Sequence, residues 1–425
     1  MKLAQIKENL ISGKFGDLFA SLYTNINEST ERYGAACDRF AHYFGAEREV
    51  ELFSAPGRTE VGGNHTDHQL GCVLAGSVNL DVIAVVAKND DGIIRIKSKG
   101  FDMDTVDTAV LEPIESEKEM SASLIRGVCA RIKQLGYNIG GFDAYTTSNV
   151  FKGSGLSSSA AFEVLVGTII SHVYNNGAID AVTVAKCSQY AENVFFGKPS
   201  GLMDQMASSV GGFVGIDFAD TENPIIEKVD FDFAAQNHSL CIVNTGGNHA
   251  DLTCEYAAIP NEMRSVAAYF GKTALRNVDE NAFYAAIPQL REKCGDRAVL
   301  RAIHFFDDNR RAVEEKTALK NNDFASFLHL VRESGRSSYM YLQNVYASSA
   351  PQEQGLSLAL ALTDRVLGDR GAFRVHGGGF GGTIQAFVPN DMLDNYIAAI
   401  ESVFGAGNCH VLKIRPVGGI KVSCE

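Results

Sequence analysis

A segment rich in glycine and serine, at residues 153–161, carries the clearest chemical signal in the chain. Glycines let backbone N–H groups turn towards an anion, and serine hydroxyls can donate to phosphate oxygens or bind Mg²⁺. The apolar residues that follow, as far as Ile170, are typical of a buried helix whose N-terminus would face the segment. We therefore predict that a nucleotide polyphosphate binds here. The binding residues would be Gly153, Ser154, Gly155, Leu156, Ser157, Ser158 and Ser159.

Two better-known phosphate motifs do not fit the chain. The P-loop pattern requires a lysine directly after its last glycine, and none follows Gly155. Residues 377–382 match the spacing of a dinucleotide-binding motif, but they lie near the C-terminus and both of their flanks are predicted strands. A nicotinamide cofactor is therefore not expected.

The polar segment at residues 55–68 is predicted to be a glycine-broken loop ahead of a strand. Asn64 and His65 can each donate or accept hydrogen bonds, and Asp67 can accept two from hydroxyl groups. These side chains suit a polyhydroxy ligand. Two alternatives stay open: a plain polar surface loop, and a metal site formed by His65, Asp67 and His68, which lacks a fourth ligand at the usual spacing.

A single carboxylate, Asp204, stands in a predicted glycine-led loop at residues 201–206. Phosphoryl transfer to an alcohol needs a group that orients the hydroxyl while the developing charge is neutralised. Asp204 is our candidate for that group, and Arg58 would keep it ionised and stabilise the transferring phosphoryl group. The structural alternative is an aspartate that only caps a turn.

A metal ion that accompanies the nucleotide would need oxygen ligands. Glu192 is the candidate carboxylate, and Ser159 or Ser158 would supply a hydroxyl oxygen. A glutamate on the solvent face of a helix is the alternative interpretation for Glu192.

The composition limits the class of protein. A chain of 425 residues is too long for one ordinary core and suggests two domains of about 200 residues each. Its net charge of −13 argues against sequence-independent binding to nucleic acid. The nine cysteines form no C-x-x-C pair, and the sequence contains no apolar run of bilayer length. We therefore expect a cytoplasmic protein with neither nucleic-acid nor membrane partners.

The pattern of apolar residues predicts an α+β fold. The predicted domains are residues 1–212, with both polar segments and Asp204, and residues 213–425, with the second glycine motif. A hairpin is predicted from residues 82–87 and 93–97. Helices are predicted in the first fifty residues and at 121–134, 178–195, 324–335 and 355–367. Further strands are predicted at 142–147, at 213–218 and near Arg374, Gln385 and Val411.

Taken together, three motifs in order give the chain a family resemblance. The first is Gly57-Arg58 with Gly63-Asn64-His65-Thr66-Asp67, the second is the serine-rich segment, and the third is His376 with Gly377–Gly382. They resemble, respectively, the sugar signature, the ATP-phosphate motif and the C-terminal glycine motif of the galactokinases in the GHMP kinase family. The resemblance covers the chain from about residue 38 onward.

The resemblance implies a two-domain GHMP kinase fold, with helices packed on mixed sheets and the active site in the cleft between the domains. It implies an ATP-dependent sugar 1-kinase that converts α-D-galactose to galactose 1-phosphate, acting with Mg²⁺ and often as a monomer. The C-terminal glycine motif would brace the phosphate loop. Implied roles are catalysis for Arg58 and Asp204, sugar contacts for Asn64, His65, Asp67, Gly201 and Tyr256, and Mg²⁺ binding near Ser159 and Glu192.

Four positions depart from the family pattern. Glu60 stands where the family has asparagine, Asn64 where it has glutamate, His68 where it has tyrosine, and His376 where it has threonine. An amide at position 64 removes a charge beside the sugar hydroxyls and would weaken the rejection of an acidic sugar. Galactose stays the first expectation, with galacturonate or N-acetylgalactosamine as alternative acceptors.

Two other classes of function stay open from the sequence. A non-catalytic sugar sensor would keep the fold and the ligands but should have lost the catalytic pair or the serine-rich core. Arg58, Asp204 and the Ser158-Ser159-Ala160 segment are all present. A different GHMP enzyme, such as a mevalonate kinase, would not be expected to carry the His65-Thr66-Asp67 sugar signature.

Overall fold

The computed structural model describes residues 1–151, 155–198, 200–247 and 252–424, apart from the side chain of Thr253. Gly153 and Ser154 of the predicted nucleotide site therefore lie outside the described residues. Within these ranges, no helix is both long and apolar enough to cross a membrane.

The strands fall into two sheets, and together with the helices they give the mixed α+β architecture predicted from the sequence. The strands are β1 (Glu51–Gly62), β2 (Cys72–Lys88), β3 (Ile93–Ser98), β4 (Met103–Asp107), β5 (Phe142–Ser148), β6 (Phe213–Asp217), β7 (Ile225–Val229), β8 (His238–Asn244), β9 (Ala372–Val375), β10 (Thr383–Pro389), β11 (Cys409–Leu412) and β12 (Ile420–Val422).

Among the described residues, the larger sheet has eight strands. Six follow the order β12-β1-β2-β5-β3-β4, while β6 pairs with β2, and β7 with β6. The smaller sheet has the order β11-β8-β10-β9. All of these pairings are antiparallel except that of β3 with β5.

The helices predicted from the sequence are present, and the bounds of two were predicted correctly. The helices between residues 203 and 320 and at residues 393–404 were not predicted. The helices are α1 (Leu3–Ile11), α2 (Gly16–Leu22), α3 (Ile26–Phe44), α4 (Ser121–Gln134), α5 (Ser158–Asn175), α6 (Ala181–Tyr190), α7 (Met203–Val210), α8 (Thr253–Tyr269), α9 (Glu280–Ala285), α10 (Ile287–Cys294), α11 (Asp296–Lys320), α12 (Phe324–Ser337), α13 (Gly355–Leu367) and α14 (Leu393–Phe404). A π-helical turn, Ala191–Phe196, continues α6.

Residues 82–87 of β2 are buried on both faces, which explains their continuous apolar sequence. One face packs into a core shared with α4 and α5, and the other is covered by the N-terminal helices α1 to α3. Successive residues alternate between the two cores because side chains of a strand point to opposite faces. Val82, Ala84 and Val86 belong to the first core, and Ile83, Val85 and Ala87 to the second.

The predicted hairpin between residues 82–87 and 93–97 is wrong. Both segments are strands, but β5 lies between them, pairing with β2 on one side and with β3 on the other. The turn at residues 89–92 therefore joins two strands that are not neighbours. Strand β5 follows α4 in the chain and lies between β2 and β3, where its apolar residues pack into the core.

The loop predicted at residues 55–68 is largely a strand. Glu51–Gly62 forms β1, and only the residues after it turn. Its glycines and Pro56 are accommodated because the pairing with β2 shifts register between Pro56 and Arg58, and again between Glu60 and Gly62. Similarly, Asp204 does not lie in a loop but in the first turn of α7, where the helix dipole favours a carboxylate.

The sheets do not divide the chain at residue 212, where the sequence places the domain boundary. Strand β6 begins at Phe213, but β6 and β7 both belong to the larger sheet. The smaller sheet begins only with β8, and β12 returns to pair with β1. A division by sheets would therefore fall between β7 and β8, with the C-terminal strand counted in the larger sheet. The two-domain ranges stay a prediction.

Candidate active site

Arg58 and Asp204 meet side by side. The Nε and Nη2 atoms of Arg58 each donate to one carboxylate oxygen of Asp204, both at 2.7 Å. Burial alone would raise the pKa of Asp204, but the charge and hydrogen bonds of Arg58 bring that pKa below its ordinary value. The Asp204 side chain keeps 29% of its surface exposed. A group at the surface of the site therefore meets an ionised carboxylate in a fixed orientation.

Arg58 also connects this carboxylate to the serine-rich segment. Its Nη1 atom donates to the carbonyl of Gly155, and its backbone N–H donates to the carbonyl of Leu156 at 3.0 Å. The segment then turns at Ser157, which has a positive φ of 56°, and α5 begins at Ser158. The first N–H groups of a buried helix thus lie next to the Arg58–Asp204 pair, as an anion site requires.

A cavity of about 220 Å³ opens beside the Arg58–Asp204 pair. It lies between the two sheets, since β1 and the turn after it form one wall and the glycine turn between β9 and β10 forms the other. The lining residues are Arg58, Glu60, His65, Asp67, His68, Lys198, Ser200, Gly201, Met203, Asp204, Gly377 and Gly378.

Three of the predicted sugar residues donate to successive carbonyls of the glycine turn. Asn64 Nδ2 donates to Gly377 at 2.8 Å, and His65 Nε2 donates to Gly378 at 3.0 Å. The hydroxyl of Tyr256 donates to the carbonyl of Gly379 at 2.8 Å. A Cβ at Gly378 would lie 2.5 Å from the Tyr256 ring, so only glycine allows this contact. The two glycine-rich segments are thereby held against each other.

His65 and Asp67, for which the resemblance implies sugar contacts, both line the cavity. Burial, together with the neighbouring His68, lowers the pKa of His65 to about 4, so its ring is neutral at ordinary pH. Because Nε2 donates to a carbonyl, Nδ1 is left as an acceptor. Gly201 also lines the cavity, and a Cβ there would lie 2.8 Å from Oδ2 of Asp67.

Asn64, by contrast, does not line the cavity. It is fully buried, and its amide oxygen accepts from Asn344 at 2.8 Å. Its backbone N–H donates to Asp308 at 2.8 Å, and its carbonyl accepts from His304 at 3.0 Å. The prediction that Asn64 contacts the sugar is therefore not supported, because its polar atoms are engaged inside the protein. Tyr256 also lies outside the lining, behind Gly378, and its sugar contact stays a prediction.

Glu60 lines the cavity instead, which the sequence reasoning missed. Its Oε1 atom accepts from Asn64 Nδ2 at 2.7 Å and from Nη2 of Arg374 at 3.1 Å. Arg374 is fully buried and also donates to the carbonyl of Val61 at 2.6 Å. One feature of the sequence could have indicated this. Relative to the family pattern, the acid and the amide at positions 60 and 64 are exchanged.

His376 joins the two sheets behind the site. Its Nδ1 atom lies 2.9 Å from Oγ1 of Thr383, and its Nε2 atom lies 3.0 Å from Oγ1 of Thr59. Gln385 donates to the same Thr59 hydroxyl at 2.6 Å. The ring also sits close to the phosphate loop, since a Cβ at Gly155 would lie 3.1 Å from His376 Nδ1. The region of the C-terminal glycine motif thus contacts the phosphate loop, as the resemblance implied.

Ser159 and Glu192, the predicted Mg²⁺ ligands, lie next to each other. The Ser159 hydroxyl is 3.3 Å from Oε1 of Glu192, and Nζ of Lys198 lies 3.0 Å from the same oxygen. Gln205 donates to the other Glu192 oxygen at 2.8 Å and to Glu163 at 3.2 Å. A hydroxyl and a carboxylate are oxygen ligands of the type that Mg²⁺ prefers, so these residues fit the ion.

The alternative metal site at His65, Asp67 and His68 is not supported. In the described part of the chain, no group of three histidine, cysteine, aspartate or glutamate side chains is arranged to hold a metal ion.

Two family models match segments of the N-terminal half of the chain. The galactokinase galactose-binding signature matches residues 38–88, which include Arg58, Glu60 and Asp67. The GHMP kinases N terminal domain matches residues 123–212, which include the phosphate loop and Asp204. Crystal structures of Lactococcus lactis galactokinase complexed with galactose and of Methanococcus jannaschii mevalonate kinase share the fold.

The first structure superimposes with a TM-score of 0.77 at 23% identity, covering 92% of this chain and 100% of that one. The second has a TM-score of 0.62 at 14% identity, covering 86% of this chain and 98% of that one. A galactokinase from Streptomyces coelicolor is 32% identical over 375 residues, which are 88% of this chain and 93% of that protein. With this identity and coverage, the chain belongs to the galactokinase family of GHMP kinases.

Proposed function

We propose that the chain is an ATP-dependent galactokinase, which transfers the γ-phosphoryl group of ATP to the anomeric hydroxyl of α-D-galactose. The observation that carries the proposal is the Arg58–Asp204 pair, which faces a polar cavity and is bonded to the phosphate loop at Gly155. The relative from Streptomyces coelicolor is a galactokinase, and it matches nearly the whole chain.

Asp204 would orient the hydroxyl and take its proton. In phosphoryl transfer the new oxygen–phosphorus bond forms as the bond from the γ-phosphorus to the leaving ADP oxygen breaks, through a loose transition state. Because Arg58 lowers the pKa of Asp204, this carboxylate is too weak a base to deprotonate the hydroxyl before transfer. Its main contribution is orientation, and the proton moves to it late, when the sugar oxygen has become acidic.

Arg58 would act on both partners of the reaction. It is nearly fully buried, and its guanidinium spans the gap between Asp204 and the phosphate loop. A fixed positive charge at this place stabilises the charge that develops on the transferring group without reorganisation. The N-terminus of α5, starting at Ser158, adds N–H donors of the same sign.

Bound Mg²⁺ would neutralise charge on the phosphate oxygens, with Ser159 and Glu192 as its protein ligands. Glu192 is 3% exposed, and its carboxylate pairs with Lys198 at 3.0 Å, so it can balance a positive charge at this position. Glu163 is a second buried carboxyl that accepts a hydrogen bond from Gln205, and it is not a proposed ligand of the ion. Burial, together with the charge of Glu192, raises the pKa of Glu163 well above its ordinary value.

The substitution Glu192→Gln is expected to raise the Mg²⁺ concentration needed for half-maximal activity by about 10–100-fold. The amide keeps the shape of the side chain but removes the charge that attracts the ion. Titration of the initial rate with Mg²⁺ at saturating ATP measures this. Glu163→Gln is the matched control, because Glu163 is a buried carboxyl that shares Gln205 with Glu192 but is not a proposed ligand of the ion. Equal Mg²⁺ dependence in the two variants would contradict the assignment of Glu192.

The acceptor is tested by ADP release with galactose, galacturonate, N-acetylgalactosamine, arabinose and mevalonate. We expect galactose to give the highest kcat/KM. Turnover of another sugar without galactose would refute the choice of acceptor and leave the kinase assignment standing. Sugar binding without turnover of any compound would favour the non-catalytic sensor. Mevalonate as the preferred acceptor would refute the sugar kinase itself.

A further inference from the structure

We infer that Glu60 is a specificity residue for the acceptor, which binds a hydroxyl at the end of the sugar remote from the reacting oxygen and excludes sugars with a carboxylate there. The inference rests on the proposed sugar kinase activity and adds the residue that selects a neutral acceptor.

The position of Glu60 relative to Arg58 supports this role. The two residues are separated by one residue in a regular part of β1, where Arg58, Thr59 and Glu60 pair with Ser77, Gly76 and Ala75. Their side chains therefore point to the same face, about 7 Å apart along the strand. That spacing is comparable with the length of a hexose. A sugar whose C1 oxygen lies at Asp204 would place its other end at Glu60.

The Glu60 carboxylate is built to face a ligand. It is 6% exposed and lines the cavity, so what remains accessible is directed into the site. Oε1 is held by Asn64 and Arg374. Oε2 has no hydrogen-bond partner among the described residues, and it is not fully buried. One oxygen is thus anchored while the other is left for a donor from the cavity, such as a sugar hydroxyl.

This placement changes the interpretation of Asn64. An amide at position 64 was expected to weaken the rejection of an acidic sugar, but Asn64 is sealed inside the protein and donates to Glu60. A carboxyl group therefore still faces the cavity, on Glu60 of β1. When Glu60 is ionised, an acceptor with its own carboxylate would bring two like charges together in a partly desolvated site, which weakens its binding.

The charged groups around Glu60 determine when it is ionised. Burial raises the pKa of Glu60 to about 7, although Arg374 and Arg58 oppose this increase. Because its native pKa lies near neutrality, the rejection of an acidic sugar should be strong at pH 8 and weaker at pH 6. The titratable and charged groups facing it or the cavity are Arg58, His65, Asp67, His68, Lys198, Asp204, Glu315 and Arg374.

The test is the substitution Glu60→Gln, measured as kcat/KM for galactose and as the inhibition constant of galacturonate against galactose. Inhibition does not require galacturonate to be phosphorylated. We expect kcat/KM for galactose to fall about tenfold, because a charged acceptor is lost, and galacturonate to bind at least about tenfold more tightly. If Glu60 only positions Arg374, both sugars should be affected alike and their ratio should not change, which would overturn the inference.

Glu315→Gln is the matched control. Glu315 is a fully buried carboxylate close to the same strand, since a Cβ at Gly62 would overlap its Oε2. It does not line the cavity, and burial raises its pKa well above the ordinary value. Its substitution should leave the ratio between the two sugars unchanged.

A second measurement uses the unmodified protein and so does not depend on the folding of a variant. The inhibition constant of galacturonate should rise between pH 6 and pH 8 as Glu60 ionises, and Glu60→Gln should abolish this rise. A flat profile in the unmodified protein would overturn the inference. A flat profile together with normal galactose turnover would reject only the role of Glu60. No turnover of any sugar would reject the kinase proposal.

Discussion

Asp204→Asn is expected to lower kcat with galactose by about 10²–10⁴-fold while the affinity for galactose changes little. The amide keeps the size of the side chain and one of its acceptor oxygens. It loses the negative charge that orients the hydroxyl and accepts its proton. Steady-state kinetics gives kcat, and calorimetric titration with galactose gives the affinity.

The low pKa of Asp204 adds a second expectation to this experiment. A carboxylate that stays ionised well below pH 5 produces no change in rate between pH 5 and pH 8. Any inflection near pH 7 in the unmodified protein would belong to other groups in the cavity, such as Glu60, whose pKa is about 7. The inflection should therefore persist in the residual activity of Asp204→Asn.

The matched control is Asp217→Asn. Asp217 also pairs with an arginine, at 2.9 Å from Nη2 of Arg276, and its side chain is 27% exposed against 29% for Asp204. It lies outside the cavity, so its substitution should reduce kcat less than about threefold, as expected of a surface change. If Asp204→Asn also kept a rate within threefold of the unmodified protein, Asp204 could not have the proposed role.

The elements that were predicted correctly are those in which local pattern and tertiary packing agree. Helices α4 and α13 begin and end as predicted. The buried residues of α13 recur at helical spacing, whereas α4 is buried along almost its whole length and ends just before Gly136. Strands β9 and β10 were found from their apolar runs on either side of the glycine turn.

The wrong predictions concern features that depend on distant parts of the chain. Strand β1 contains Pro56 and Gly57, which locally indicate a turn. The strand nevertheless continues, because its pairing with β2 shifts register at these residues and resumes beyond them. The apparent hairpin failed because β5, some forty residues later, pairs with both of its strands. No periodicity within residues 82–97 could have shown this, since both strands have the expected pattern.

The candidate site likewise contains residues whose roles could be predicted from the sequence and residues whose roles could not. Asp204 was the candidate for orienting the acceptor hydroxyl and Arg58 for keeping that carboxylate ionised, and the family resemblance implied the same pair, so their contact was predicted. The roles of Glu60 and Asn64 could not be assigned in this way. A strand directs Glu60 into the cavity, whereas the turn after β1 directs Asn64 into the contacts with Asp308 and Asn344. Which of two polar neighbours meets a ligand depends on backbone direction, and that is settled only by the fold.

Asp81→Asn is expected to lower the free energy of unfolding by about 3–5 kcal/mol, because it leaves two arginines without their common counter-ion. Asp81 is fully buried, with Arg32 at 2.5 Å and Arg415 at 3.1 Å. Tyr23 and Ser54 donate to the same carboxylate, at 2.6 and 2.5 Å. The cluster joins the N-terminal helices to β2 and to the C-terminal segment, so its loss should affect all three. Urea unfolding followed by circular dichroism measures the effect.

Asp391→Asn provides the control for Asp81→Asn. Asp391 also accepts from an arginine, with Arg370 at 2.8 Å, but both side chains are more than half exposed. A surface pair of this kind contributes at most about 1 kcal/mol. A loss of less than about 1 kcal/mol for Asp81→Asn as well would show that the buried cluster is not a major source of stability.

The same cluster predicts how stability depends on pH. Burial alone would raise the pKa of Asp81, but Arg32 and Arg415 bring it below the ordinary value. A carboxyl whose pKa is lower in the folded than in the unfolded state binds fewer protons when folded, so its contribution is complete above about pH 5 and is lost as the pH falls through its folded-state pKa. The stability difference between the unmodified protein and Asp81→Asn should therefore be constant from pH 6 to pH 8 and shrink below about pH 4. A difference that grew on acidification would mean that Asp81 is protonated in the folded protein, and the ion cluster would then not be what holds the N-terminal helices in place.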